Sequence, residues 1–399
     1  MIFMAGVSTF ALSSLVAGLA WADSVLIAAR AFQGVGAAMM TPAALSLVMN
    51  TFTEGGERNK ALGIWSAVGA SGGTMGVLLG GIFTDTIGWE WIFYLNVPVS
   101  ALILIATPLF VAESRAQNTG KSFDIPGAAT ITGAIALLTY GLIDAESAGW
   151  SSTQTILLSV ASAVLFVSFV VIERRSASPL VPFSIFRLRS LTGANAGGFA
   201  LGASIFGMIF IVTLFMQQVL GYSPIKTGLA WLAMSLAALV SAIITSQAVT
   251  KVGVRGPMVG GLVLAAIGFG LLAGVPIDAS YATDLLPGLL IFGTGLGMAF
   301  VSASIGALEG VTESDSGLAS GLINTMQQVG GALGVAILAT IALSKSNDLI
   351  DSGEERAAAL TSGFSAALYA GVGFSLLGAI AAFVLIRGQK SGAPNGDSA

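Results

Sequence analysis

Leu191 to Met216 reads LTGANAGGFALGASIFGMIFIVTLFM, twenty-six residues without a charged side chain. A helix needs about 20 residues to cross the hydrocarbon core of a bilayer, so this run is long enough to span it. It is not exceptional in its chain. Of 399 residues, 55% are hydrophobic and only 9% charged, with mean hydropathy +0.90. A water-soluble domain carries roughly 25% charged residues to solvate its surface. Sixteen basic and twenty acidic side chains cannot do that here; the apolar excess requires a lipid solvent. The 52 glycines fit the same solvent, because small residues let helix backbones approach closely within a membrane.

Breaking the chain at its charged and Pro/Gly-rich interruptions leaves twelve such stretches: 2–20, 25–50, 61–84, 92–112, 125–146, 154–173, 191–216, 227–250, 256–275, 285–306, 317–343 and 363–386. The expected fold class is an all-α polytopic membrane protein. Lys and Arg orient it, since they concentrate in cytoplasmic loops. With the N-terminus inside, the inner loops hold Arg58, Lys60, Arg115, Lys121, Arg174, Arg175, Arg187, Arg189, Lys251, Arg255, Arg387 and Lys390, and the outer loops only Lys226, Lys345 and Arg356. Both termini are therefore expected in the cytoplasm, in a cell (inner) membrane.

The chain has no Cys and no His, which excludes disulfides, thiolate chemistry and His-based metal ligation or acid–base catalysis. No metal site or cofactor is expected, and no enzymatic activity. The net charge of −4 without a basic block makes nucleic acid an unsuitable partner. Gly120-Lys121-Ser122 has Arg115 where a phosphate-binding loop needs its first Gly, so it reads as solvated linker. The lipid bilayer is the partner that the composition implies.

Two offsets reveal an internal repeat. A slide of 258 residues aligns Ala61, Gly63, Gly72, Gly73, Gly76 and Val77 with Ala319, Gly321, Gly330, Gly331, Gly334 and Val335; a slide of 259 aligns Gly34, Gly36 and Met39 with Gly293, Gly295 and Met298. Spans two and three then correspond to spans ten and eleven. This divides the chain into 1–112, the remainder of an N-terminal helical half; 113–190, a two-helix insertion with flanking cytoplasmic connectors; 191–387, a C-terminal six-helix half; and 388–399, a cytoplasmic tail.

The run Leu26-Ile27-Ala28-Ala29-Arg30-Ala31-Phe32-Gln33-Gly34-Val35-Gly36 resembles motif B of the major facilitator superfamily. Gly69 to Gly81 resembles motif C, the antiporter motif, with its ladder Gly69, Gly72, Gly73, Gly76, Gly80 and Gly81. Val219-Leu220-Gly221-Tyr222-Ser223-Pro224 and the stretch Gly317 to Val335 are similar to the fourteen-span drug:proton antiporter branch. That resemblance implies a 6+2+6 plan, here 4+2+6 without the first two helices, and a reading frame that begins earlier. It also implies proton-coupled export of drugs or other amphipathic molecules by alternating access, with Arg30, Gln33, Gly34 and Gly36 in proton coupling. Two departures stand out: Val77 where the family usually has Pro, and Glu90 where relatives usually have Arg. Export of one endogenous metabolite stays open, as does a remnant that does not transport.

From the residues alone, Arg30 is the outlier, because a charge within a span costs at least about 2.5–3.5 kcal/mol on insertion scales. It either serves a cavity or snorkels to the headgroups near the start of span two. The motif C glycines, at steps of three and four, are expected to share one face and offer a groove to a neighbouring helix. Asn324, Gln327 and Gln328 lie at i, i+3 and i+4 and are expected to face inward together. With Asn195 they are the candidate substrate contacts. For topology, single substitutions Ser176→Cys and Ser346→Cys in this cysteine-free chain are expected to label from inside and outside respectively with an impermeant maleimide. The opposite pattern overturns the orientation.

Overall fold

The computed structural model describes residues 1–52, 61, 72, 76, 78–110, 124–311 and 315–386. Helices follow where the apolar runs end in capping or turn residues: α1 Ile2–Gly18, α2 Asp23–Thr51, α3 at 78–86, and α4 Asn96–Phe110 behind the single turn Trp91–Tyr94. They continue with α5 Ile125–Ala148, α6 Thr153–Arg175, α7 Arg189–Leu214, α8 Pro224–Val252, α9 Arg255–Ala273, α10 Leu286–Leu308, α11 Ser316–Asp351 and α12 Arg356–Leu385. No strand occurs among the described residues. Ten of the described helical segments are long and apolar enough to cross a membrane, and the 17-residue α1 is a shorter apolar helix. Most of the expected span 61–84 lies outside the described residues.

Local chemistry sets the ends. Asp124 caps α5, its Oδ1 accepting from Gly127 N at 2.8 Å, with Pro126 in the first turn where no intrahelical donor is needed. Ser152 caps α6 by accepting from Thr155 N at 3.2 Å. Between these helices Gly149 turns at φ 91°, a conformation that favours glycine. One end was misjudged from sequence. The expected span 317–343 stops at Lys345 and Asp348, but helix α11 runs on to Asp351. Charges end a hydropathy window without ending a helix, since the backbone bonds continue into the headgroup region. Ser346 is consequently a buried helical residue, 2% exposed, and the exposed Ser352 is the better outer reporter.

The chain forms two compact units. The first comprises Met1–Gly120 with Tyr222–Leu232. Here α1 packs on α2 and α4, and α1 meets α2 where both lack a side chain. A Cβ on Gly36 would stand 2.6 Å from Phe10 N, and one on Gly6 would stand 2.8 Å from Met40 N. The Tyr94 hydroxyl donates to the Gly18 carbonyl at 2.7 Å, tying the turn before α4 to the end of α1. Asp85 at the end of α3 accepts from Ile225 N at 3.1 Å.

The second unit comprises Lys121–Gly221 with Ala233–Ala399. Its core is the contact of α7 with α11 and α12, and of α9 with α10 and α12. Phe269 of α9 meets Phe292 of α10 edge-on at 5.2 Å, and Met208, Ile211, Met258 and Leu262 are fully buried around them. The α5–α6 hairpin is joined by Ser162 Oγ donating to Ala134 O at 2.7 Å, and α11 reaches it through Thr340 Oγ1 to Leu142 O at 3.3 Å. Outward, α6 exposes Ile156, Leu157, Val160, Val164, Phe166 and Val167. Burying such side chains is worth about 1.5–3 kcal/mol each, so this face needs hydrocarbon around it.

The glycine ladder is unevenly used. A Cβ on Gly72 or Gly76 would meet no described atom within 4 Å, and one on Gly80 only Ile92 at 3.8 Å, whereas one on Gly81 would stand 2.6 Å from Pro224 O. The repeat mates on α11 are tight instead: a Cβ on Gly334 would stand 2.5 Å from the Cα of Ala203, and Gly330 lies against the Phe199 carbonyl. Alanine is favoured over glycine in a helix by about 1 kcal/mol, and overpacking costs about 1–3 kcal/mol. Gly334→Ala is therefore expected to lower the thermal stability of the purified protein, and Gly373→Ala on α12, where an added Cβ meets nothing within 4 Å, to leave it equal or higher. Equal melting of both variants would remove the seam from the account.

Candidate functional site

Arg30 lies two turns into α2 and carries the only formal charge between Val25 and Thr51. Its guanidinium turns toward the C-terminal end of the helix, Nη1 donating to Gln33 Oε1 at 2.6 Å. It also sits over the Phe93 ring, 5.7 Å from the centroid. This contact favours a cation through the ring quadrupole. Phe93 is itself held edge-on by Trp89 at 6.1 Å. The cation is thus held by a carboxamide oxygen and a ring face.

Gln33 passes the connection inward. Its Nε2 donates to Ser14 Oγ of α1 at 2.5 Å, and Asn96 Nδ2 of α4 reaches the same hydroxyl at 3.3 Å. Gln33 is 3% exposed and Ser14 fully buried. A carboxamide can accept at one end and donate at the other, so Gln33 suits this middle place: it takes a bond from the cation and gives one to the hydroxyl. Arg30 itself is exposed on the outer side of the chain of bonds. A groove of about 420 Å³ lies on the α1–α2 pair, lined by Leu12, Ser13, Val16, Ser24, Val25, Ala28, Ala29 and Phe32, and so includes the residue before Arg30.

The other motif B residues have different surroundings. Gly36 is the tight α1–α2 crossing, whereas Gly34 has open space. In motif C, Gly69 and Gly73 lie outside the described residues. The sequence reading missed Ser14, Phe93 and Asn96. The signal available for them was modest: two polar residues in runs otherwise apolar, and an aromatic whose importance comes from its place beside Arg30.

In the second unit, the four polar candidates do not form one cluster. Asn195 is 4% exposed; its Nδ2 bonds back to Leu191 O at 2.8 Å and its Oδ1 is buried without a hydrogen-bond partner. On α11, Asn324 and Gln328 are exposed while Gln327 is half-buried. Gln327 takes part in the α7 seam through its backbone, beneath Gly202, and its Cγ lies 3.6 Å from the Cβ position of Gly198. Packing within this unit therefore leaves the i, i+3, i+4 set largely uncovered.

Known proteins share this sequence and fold. The chain is 36% identical over 407 residues to "Puromycin resistance protein pur8" of Streptomyces alboniger, covering 100% of this chain and 80% of that protein. It is 34% identical over 339 residues to "Multidrug resistance protein Stp" of Mycobacterium tuberculosis, covering 85% of this chain and 63% of the relative. The crystal structure of a bacterial homologue of the human lysosomal transporter Spinster superposes with a TM-score of 0.62 at 15% identity, over 96% of this chain and 82% of that one. The family model of the Major Facilitator Superfamily matches residues 1–335, and the chain belongs to the major facilitator superfamily.

Proposed function

We propose that this protein exports drugs or other amphipathic small molecules across the cell membrane in exchange for entering protons, by alternating access, with both termini in the cytoplasm. The observation that carries the reading is the bonded series Arg30–Gln33–Ser14–Asn96 across α2, α1 and α4. A cation kept within a span at an insertion cost is retained for work on charge. Here its hydrogen bond goes to a neutral carboxamide, so its positive charge remains available to lower the pKa of an approaching acid. The apolar groove on the α1–α2 pair supports a cargo that is largely hydrophobic with a polar end. The two relatives point the same way, one named for multidrug resistance and one for resistance to puromycin. The second name supports a narrower reading, a single antibiotic as cargo, which competition by a panel of drugs against one fluorescent substrate distinguishes. The division into an N-terminal half, an inserted hairpin and a C-terminal half belongs to the same proposal, as does a substrate contact by Asn195, Asn324, Gln327 or Gln328.

In everted vesicles energised by a pH gradient, dye transport is the test. Arg30→Ala is expected to abolish proton-driven efflux while leaving expression and insertion intact. Arg30→Lys is expected to retain little, because an ammonium lacks the planar donor fork. Gln33→Leu removes both of the carboxamide's bonds and leaves Ser14 buried without that donor; a loss of about 1–3 kcal/mol in stability is expected, together with impaired efflux. Normal proton-driven efflux by a well-expressed Arg30→Ala variant rejects the assignment.

A further inference from the structure

Two acidic side chains outside the Arg30 series share one dry place. Asp124 stands at the start of α5 and Glu173 near the end of α6, so both lie at the open end of the hairpin, opposite its turn at 149–152. Both carboxylates converge on Gly127. From the position that a Cβ on Gly127 would take, Glu173 Oε1 is 2.9 Å away, Asp124 Cγ 3.0 Å and Asp124 Oδ1 3.1 Å. A side chain at 127 would therefore fill the space between the two acids.

Each carboxylate has one oxygen occupied and one left over. Asp124 Oδ1 accepts from Gly127 N at 2.8 Å, and Glu173 Oε2 accepts from Val181 N of the following connector at 3.1 Å. Asp124 Oδ2 and Glu173 Oε1 are both enclosed and have no hydrogen-bond partner. Glu173 as a whole is 3% exposed. Among the described residues, the basic side chains nearest in sequence, Arg174 and Arg175 next along α6 and Arg187 and Arg189 at the far end of the connector, are exposed. The part of α5 after Asp124 has no ionisable group before Tyr140, and α11, which packs on α5, has none from Gly317 to Leu343.

Two ionised carboxylates this close, each with one enclosed oxygen that has no donor, carry both a desolvation cost and their mutual repulsion. One proton removes both problems at once. We propose that Asp124 and Glu173 form a proton-binding pair: a proton taken from solution bonds to Glu173 Oε1, which then donates to Asp124 Oδ2, and its release restores two carboxylates. Because Glu173 also holds Val181 N, the protonation state of the pair acts on the backbone of the connector into α7.

Infrared difference spectroscopy on the purified protein in lipid nanodiscs at neutral pH reads this directly and does not depend on transport. The wild type is expected to show a protonated-carboxyl band, shifted on exchange into D2O, that disappears in Glu173→Gln. That variant keeps an acceptor oxygen for Val181 N and places an amide N–H where the shared proton sits. Asp124→Asn keeps the α5 cap and is expected to shift the band; it carries the test should Glu173→Gln fail to fold. With an indicator dye, the double amide variant is expected to take up one proton fewer per chain than wild type on acidification from alkaline pH. A band unchanged in both variants, or no such band in wild type, overturns the pair. A wild-type spectrum that changes on adding sodium or calcium but not on D2O exchange assigns the place to a metal cation and overturns it too.

Discussion

Inside hydrocarbon no water drives one helix onto another and none is there to satisfy a stray backbone group. The distance to which two helix backbones can approach then decides how much dispersion energy a contact yields. This constraint explains where the side chains are missing. The α7–α11 contact is a run of such places: Gly198 beneath Ile323, Gly202 beneath the Gln327 carbonyl, Gly330 beneath the Phe199 carbonyl and Gly334 over Ala203. Each helix supplies glycines into the other, so the seam is reciprocal. The same arrangement recurs between α9 and α10, where Gly261 and Gly295 face each other. In the first unit the corresponding pair is Gly6 and Gly36.

The same lack of water governs the hydroxyls. Many serines and threonines within the spans bond to the carbonyl four residues earlier: Thr107 to Ile103, Ser204 to Ala200, Thr294 to Leu290, Ser302 to Met298 and Thr361 to Ala357. A hydroxyl satisfied by its own helix can face lipid or a neighbour without requiring a partner. Ser14 is different. It receives donors from two other helices, and this sets it apart from the ordinary run of polar residues in the bundle.

Much of the architecture was legible because length and hydropathy are read residue by residue. The spans from 92 onward coincide with helices within a few residues, apart from the extended end of α11 and the start of α12, which begins at Arg356 rather than at 363. The connector between α6 and α7 was also visible as a basic, proline-bearing break, although its docking was not: Ile185 buries against Leu191, Ala319 and Leu322. The site was legible only in part. Arg30 and Gln33 were both singled out through the resemblance to motif B, and the bond between them spans only a three-residue step. Their partners on α1 and α4 are 19 and 63 or more positions away in sequence from Gln33 or Arg30, and helical spacing says nothing about such contacts. Spacing alone also cannot say which helix comes to the glycine ladder or to the Asn324 set, because a shared face becomes a groove or a cavity only if another helix comes to it.

The two charged places in the spans' neighbourhood solve opposite problems. Arg30 is held by neutral groups, a carboxamide oxygen and a ring face, so its surroundings orient the cation without cancelling it. Replacing Gln33 by a carboxylate would bind the guanidinium more strongly and neutralise it, which would remove the field that a proton-carrying acid needs. Asp124 and Glu173 have the reverse arrangement. Backbone N–H groups orient one oxygen of each, and the other oxygen of each is enclosed without a hydrogen-bond partner among the described residues. A fixed cation with neutral supports can act on a proton elsewhere; two acids, each with one enclosed and unpartnered oxygen, can hold one themselves. Neither arrangement is the best way to stabilise a helix bundle, where an apolar side chain in the same place would serve better. Their joint presence is what separates this chain from a bundle assembled for packing alone.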